Sequence, residues 1–253
     1  MTRKNHPGPQ GPGCVLLGEN MDKMMEALGR GAQAYGIALD GTQMETLCRF
    51  GRAMLEKNQV MNLTAITDPE QVAMNHFVDS LMLLKEGDFR GKRVIDVGCG
   101  GGFPGVPMKV GCPEMELTLL DSLGKRMHWL EETLPDLGIR AECVTARAEE
   151  EAARRRERYD FAVSRAVARL NVLAELCLPY VKVGGYFLAM KAAAAQEELR
   201  QAEKGIGLLG GTVEALREYE LEGASRAIVV VRKTAPTPAK YPRAYAKIKQ
   251  RPL

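Results

Sequence analysis

The spacing of apolar and polar positions changes character near residue 90. From Met21 to about Glu86 the apolar residues recur at three and four: Met24, Met25, Leu28 and Ala32, then Met44, Leu47, Cys48 and Leu55. That period is one face of an α-helix. The second helix is entered near residues 40–42. A third follows Asp68-Pro69-Glu70, which reads as an N-cap, a first-turn proline and an early acid, and it carries Val72, His76, Phe77 and Leu81. Residues 58–67, between these helices, read as a loop with local turn chemistry. His76 and Asp79, three apart, share a helix face as a local polar pair or, less directly, as a wall of a site. Beyond Arg93 short apolar runs alternate with helical stretches. Strands are predicted at 93–97, 117–120, 141–148, 161–166, 186–191, 212–221 and 227–233. Helices are predicted at 104–112, 125–137, 149–158, 170–181 and 196–209. This alternation predicts an α/β fold, a mostly parallel sheet with helices on both faces. The last two strands meet at Glu222-Gly223 with no helix between, so one strand runs antiparallel.

The chain of 253 residues divides, on this pattern, into four stretches. Residues 1–20 are rich in Gly and Pro without periodicity and read as disordered. Residues 21–90 form a helical extension, 91–235 the α/β domain, and 236–253 a basic C-terminal tail. The first stretch lacks the apolar core of a secretory signal, and a start at Met21 instead of Met1 stays open. No run approaches the ~20 apolar residues of a membrane span.

Composition adds little until charge is followed along the chain. Hydrophobic content of 45% and charged content of 26% fit an ordinary globule. The six cysteines form no C-x-x-C pair and read as reduced, buried small hydrophobes of a cytoplasmic protein. His6, His76 and His128 are scattered, so no zinc site is expected. Net charge is +3, yet Gly223 to Leu253 holds eight Lys or Arg and no acid. Such a tail suits a polyanionic partner, or is a solvated terminus. The Arg154-Arg155-Arg156 run has acids on both sides and reads as a solvated helix face.

The stretch from Arg93 to Gly105 (Arg-Val-Ile-Asp-Val-Gly-Cys-Gly-Gly-Gly-Phe-Pro-Gly) is a buried strand entering a glycine-rich turn and then a helix. A dinucleotide fingerprint wants G-x-G-x-x-G, with the third glycine packing helix on strand. Phe103 stands in that third place, so the pattern fails. What is present is Asp96, then Gly98, Gly100 and Gly102 at every second position. An acid before G-x-G-x-G resembles the first motif of class I S-adenosylmethionine (AdoMet) methyltransferases. Asp96 could help hold the donor's ammonium, directly or through water. Asp121, at the end of the next apolar run, stands where α/β nucleotide sites place their ribose-hydroxyl acceptor.

Further motifs narrow the resemblance. They are Asn62-Leu63-Thr64, His76-Phe77-Val78-Asp79-Ser80, Phe103-Pro104-Gly105, and Leu119 to Arg126. Ser164-Arg165-Ala166, Met190-Lys191-Ala192 and Lys240-Tyr241-Pro242-Arg243 follow. From about Met21 onward the chain resembles the bacterial small-subunit ribosomal RNA methyltransferase G family, also called glucose-inhibited division protein B. The resemblance implies a class I methyltransferase fold with a seven-stranded sheet. It also implies methyl transfer from AdoMet to N7 of one guanine near the decoding site of 16S ribosomal RNA. The partner would be that RNA or the small-subunit particle, with no membrane, and the enzyme a cytoplasmic monomer. By motif, Gly98, Phe103, Ala148, Glu149 and Arg165 would contact AdoMet, and Gly100, Gly102, Asp96 and Asp121 join them by site logic. Arg147, Arg165 and Lys191 would be catalytic, and Lys125 and Arg126 would contact RNA. The tail departs from the family in having Ala246 after Tyr245, where relatives often carry glycine.

The residues agree with a ring-nitrogen target. The place after the fourth strand holds Ser164-Arg165-Ala166, not the Asn/Asp-Pro-Pro-aromatic motif of exocyclic-amine enzymes. Cys177 lies within an apolar helix, an unsuitable place for a nucleophile attacking a cytosine ring. Guanine N7 has a lone pair and no proton, so positioning and a preorganised site suffice. Arg165 and Lys191, ending their strands, are the candidates to orient the base through its N7 and O6 edge. A non-catalytic RNA-binding module that keeps AdoMet structurally, and a small-molecule methyltransferase, remain alternatives.

Overall fold

The computed structural model describes residues 12–165 and 168–253, with side chains from residue 19 onward. Seven strands form one sheet: β1 (Arg93–Val97), β2 (Glu116–Asp121), β3 (Glu142–Thr145), β4 (Tyr159–Arg165), β5 (Val181–Ala192), β6 (Gly211–Leu221) and β7 (Ala224–Lys233). Their spatial order is β3-β2-β1-β4-β5-β7-β6. All neighbours pair in parallel except at β7, which runs antiparallel to both β5 and β6. The expected class I layout therefore holds, with the antiparallel strand inserted between its neighbours. The chain leaves β1 toward β2 and β3, then crosses to β4 on the other side. That reversal opens a crevice at the C-terminal strand ends, where open α/β sheets take their ligands.

Alternation along the strands divides the core into two faces. Ile95 and Val97 face one side with Leu120, Ala162, Phe187 and Val229. Helices α7 (Ala148–Arg155), α8 (Leu170–Cys177) and α9 (Ala195–Leu208) contribute to that side. Val94 faces the other with Leu119, Val163, Leu188 and Val230. This second side is covered by α5 (Gly105–Gly111), α6 (Gly124–Asp136) and the N-terminal helices. Those are α1 (Pro12–Ala34), α2 (Gly41–Met61) and a third helical passage from Pro69 to Glu86 that holds α3 (Pro69–Val72) and α4 (Asp79–Leu81). Met24, Leu47, Phe50 and Phe77 are buried in the same cluster as Val106 and Trp129. The extension and the sheet thus share one core. No helix among the described residues is long and apolar enough to cross a membrane.

Three expectations change. Residues 1–11 lie outside the described residues, but from Pro12 the chain is helical, not disordered. Pro12 suits a first turn, and Met21, Met24 and Leu28 continue a helical stripe. The loop expected at 58–67 begins later, because α2 runs to Met61 and ends at a left-handed Asn62 (φ 49°). Asn58 Oδ1 supplies the turn chemistry, accepting from the N–H groups of Leu63 and Thr64. The arginine run is not a solvated face throughout. Arg155 bonds Glu142 and Glu151, and Arg156 donates to the carbonyls of Thr237, Pro238 and Tyr241.

The basic tail is also less free than its composition suggests. Lys233 is fully buried and donates to Leu178 O, Val181 O and Thr237 Oγ1, with Glu157 at 3.3 Å. Arg243 forks onto the buried Glu175 carboxylate. These contacts carry the chain to α10 (Tyr245–Gln250), which packs through Ile248 against Val172 and Leu176.

Candidate active site

The glycine turn leaves β1 under tight control. Gly98 and Cys99 donate to Leu120 O, and Gly102 and Phe103 donate to Cys99 O. Gly100 N–H donates to Asp121 Oδ2 at 2.9 Å, and Leu123 N–H to Asp121 Oδ1 at 2.9 Å. Gly98, Gly100 and Gly102 all have positive φ, at 75°, 55° and 98°, a region closed to most side chains. Pro104 precedes α5 as its N-cap. Beneath the turn, Asp96 is buried and accepts from Gly105 N–H at 2.7 Å. Its Oδ1 is the single buried side-chain oxygen or nitrogen among the described residues without a hydrogen-bond partner. Burial raises the Asp96 carboxyl to about 7, against the opposing pull of the Gly105 N–H and Arg165.

A cavity of about 590 Å³ opens over this turn. Its wall takes Gly98 and Gly100 from the turn, Asp121 at the end of β2, Ala148 and Glu149 at the start of α7, and Arg165 at the end of β4. Phe103 and Arg147 also line it, the latter bonded to Glu149 at 2.7 Å. A strand-end cleft with backbone N–H groups and a carboxylate at the end of β2 fits a donor carrying ribose hydroxyls and an ammonium, with the orphaned Asp96 oxygen buried beneath the turn and outside the cavity wall. Each Asp121 oxygen accepts one backbone bond and keeps a further lone pair for a hydroxyl.

The match to known proteins agrees with this geometry. The model for the family rRNA small subunit methyltransferase G matches residues 43–229. The chain belongs to the rRNA small subunit methyltransferase G family. It is 44% identical over 219 residues to the ribosomal RNA small subunit methyltransferase G of Alkaliphilus metalliredigens, covering 84% of this chain and 92% of that one. Identity to the Desulfitobacterium hafniense protein of that name is 43% over 234 residues, 90% of this chain and 97% of that one. Among solved structures, TrmN from Thermus thermophilus aligns with a TM-score of 0.50 and 21% identity over 62% of this chain and 48% of that one. Protein PH0793 from Pyrococcus horikoshii aligns at 0.51 and 15% over 61% of each. At those identities the likeness is one of fold. As a member of the methyltransferase G family, the protein is an AdoMet-dependent rRNA methyltransferase.

A second cavity, of about 380 Å³, lies against the first and shares His76 and Arg165 with it. Asn75, Asp79, Lys191, Glu198, Tyr219 and Arg226 contribute to its wall. Arg165 is the partition. Its guanidinium donates to Asn75 O at 2.9 Å, meets His76 Nδ1 at 3.0 Å and pairs with Asp79 Oδ2 at 3.4 Å. It also lies over the Phe103 ring, 4.9 Å from its centroid, and His76 stacks on the same ring at 4.6 Å. His76 and Asp79 thus turn to Arg165 instead of forming a local pair. The segment bearing them, Ala73–Val78, winds as a π-helix, a form that recurs at functional sites. Tyr219 of β6 donates to Asp79 Oδ1 at 2.8 Å, tying the antiparallel hairpin to the helical extension. Ser164 donates to Val97 O, fastening β4 to the end of β1. Ala166 of the same motif lies outside the described residues.

The expected site residues separate. Gly98, Gly100, Phe103, Asp121, Ala148, Glu149, Arg147 and Arg126 border the first cavity, and Lys191 borders the second. Arg147 lines the first cavity and not the second, with its guanidinium over the Tyr245 ring, 4.7 Å from the centroid. Gly102 is not in the cavity wall. A Cβ there would meet Val106, Leu130 and Phe50, so packing explains it. Arg126 donates to Asn62 O at 2.9 Å, while Lys125 is exposed. Tyr245 and Glu198 were missed. Tyr245 sits in a tail read for its charge and its motif to Arg243, not for its ring, and Glu198 among the ordinary acids of a surface helix.

Proposed function

We propose that the enzyme methylates N7 of one guanine of 16S ribosomal RNA, in a loop near the decoding site, working as a cytoplasmic monomer on the RNA or small-subunit particle. The observation that carries this reading is the wall of Arg165 and His76 common to the two cavities. One cavity suits the donor and the other an RNA base. Gly98, Gly100, Asp121, Ala148 and Glu149 would hold AdoMet, with Asp96 beneath and Phe103 and Arg147 at its sides. AdoMet supplies an electrophilic methyl group, which a ring-nitrogen lone pair can take without a proton being moved.

The side chains nearby suit that demand. Both ring nitrogens of His76 are engaged, Nδ1 by Arg165 and Nε2 by Thr64 Oγ1 at 2.7 Å. Neither is free to act as a base toward an exocyclic amine. The Cys99 and Cys177 thiols are buried, and burial raises both well above their ordinary range, so neither supplies a thiolate nucleophile. One refinement follows from N7 itself. A guanidinium forked onto N7 and O6 would occupy the lone pair that must attack. Arg165 and Lys191 therefore serve through O6 and the surroundings, and N7 stays bare. Lys125 remains a candidate RNA contact on the exposed surface, with Arg126 at the mouth of the donor cavity.

The test is methyl transfer from labelled AdoMet to small subunits from a strain lacking the gene, followed by mapping of the modified base. The expected result is one N7-methylguanine. Label on an exocyclic amine or a pyrimidine carbon, or no transfer to RNA or particles, would overturn the reading.

A further inference from the structure

We infer that Lys191 and Glu198 together form the base-selecting edge of the acceptor cavity, and that Glu198 chooses guanine by accepting from its Watson–Crick donors. This deepens, and rests on, the guanine-methylation reading above. The two residues lie on different elements, Lys191 near the end of β5 and Glu198 in the first turn of α9. Their side chains meet at 2.8 Å, Lys191 Nζ on Glu198 Oε2, and both line the cavity that abuts the donor site. Lys191 is held further by Ala168 O at 2.5 Å, which spends two of its three donors. Glu198 Oε2 also accepts from Leu170 N–H at 2.8 Å. No donor among the described residues bonds Glu198 Oε1. An ammonium donor and a carboxylate acceptor therefore stand side by side, each with capacity left for a ligand.

That order is complementary to one base edge. Guanine presents O6, an acceptor, beside N1–H and N2–H₂, which are donors. The remaining Lys191 donor would take O6, and Glu198 would accept from N1–H and N2–H₂. Adenine reverses the order, setting its amine against the ammonium and its N1 lone pair against the carboxylate. Held by this edge, guanine keeps N7 uncovered, as the reaction demands. A base gripped on its Watson–Crick edge cannot be paired at the same time. The substrate is therefore a guanine presented single-stranded or extruded from its stack, the usual manner of sequence-specific RNA recognition.

The structural alternative is that Glu198 only anchors Leu170 at the start of α8. Base selectivity separates the two. Small subunits are reconstituted from 16S RNA carrying either guanine or inosine at the target position, inosine lacking only N2–H₂. The wild-type enzyme is expected to prefer guanine by roughly 10- to 100-fold in kcat/KM, the worth of a hydrogen bond to a charged group. In Glu198→Gln, where the amide can still accept from Leu170 N–H, that ratio should fall to within a few-fold of unity. Because each ratio is taken within one enzyme, it is compared between enzymes free of the intrinsic reactivity of the two bases. Equal transfer to both bases by wild type overturns the inference, and this measurement needs no variant to fold. An unchanged ratio in Glu198→Gln, or loss of transfer to both bases with AdoMet binding retained, also overturns it. Failure of wild type to methylate the guanine subunits would instead sink the function proposed above.

Discussion

Arg165 donates through Nη2 to Nδ1 of His76 at 3.0 Å. A guanidinium has no acceptor, so Nδ1 must be the bare nitrogen and the ring proton sits on Nε2, facing Thr64 Oγ1. Burial, aided by the Arg165 charge, lowers the His76 pKa to about 3. His76 is a neutral spacer holding the partition between the two cavities.

His76→Phe keeps a ring on Phe103 and removes both polar contacts. It should cost about 1–3 kcal/mol of stability, read by urea unfolding, and lower methyl transfer more than AdoMet binding. The acid limb should change too. Unfolded His76 takes a proton near 6.5 but the folded protein resists until about 3, so stability falls as pH drops through that window. The variant should lose that part of the slope, and an unaltered slope would contradict the assignment.

Asp96 has the opposite sign. Its folded pKa is about 7, above the ordinary 3.8 of the unfolded chain. Between these values the native state holds the extra proton, so stability declines as pH rises from about 4 to 7 and is level beyond. Asp96→Asn should therefore be more stable than the parent at pH 8, by on the order of a few kcal/mol, and gain nothing at pH 4. AdoMet affinity should rise with pH through about 7 in the parent and be weaker and flat in the variant. Calorimetry at four or five pH values would decide both points.

The glycines of the turn should fail in different ways. Gly102→Ala forces a methyl against Val106, Leu130 and Phe50, with Val106 at 2.8 Å, so it should unfold readily or express poorly. Gly100→Ala meets nothing nearer than Arg126 at 3.7 Å. It should cost about 1–2 kcal/mol for its left-handed backbone, and lose AdoMet affinity by more than tenfold. If both variants lose only stability, the turn does not hold the donor.

Tyr245 offers a milder test. Tyr245→Ala should leave the unfolding midpoint nearly unchanged while AdoMet affinity drops several-fold. Glu175→Gln strips the buried partner of Arg243 and should cost about 3–5 kcal/mol, with the same loss of donor binding. A tail variant with full AdoMet affinity would remove Tyr245 from the site.

Much of this arrangement was legible in the linear chain because it is local. The acid of β1, the alternate glycines and the acid ending β2 fall within one strand–turn–helix–strand passage, where spacing alone sets geometry. Phe103 was legible as a departure from the dinucleotide pattern, but not as the ring on which Arg165 and His76 converge. That convergence brings onto Phe103 one residue 27 positions before it and another 62 positions after it. Lys191 could be picked out as a cation ending an apolar strand, whereas its partner Glu198 looks like any helix-surface acid until β5 and α9 are folded together. The tail misled for a related reason. Charge was counted without its partners: Arg226, Lys233 and Arg243 turn out to be paired with buried or half-buried acids, and Arg232 with Glu214 on the surface.

The reach of the C-terminal segment across α8 to Tyr245 sets an order of assembly. Ribosomes deliver residues from the amino end, so every strand of the sheet and both acids of the turn emerge before the aromatic ring that borders the same cavity. A chain still being translated can complete its sheet while one side of its donor pocket stays open. A protease that clips only the final nine residues, from Tyr245 on, would leave that half-walled state behind: a folded protein with the family's signature motifs intact and a weakened grip on its methyl donor.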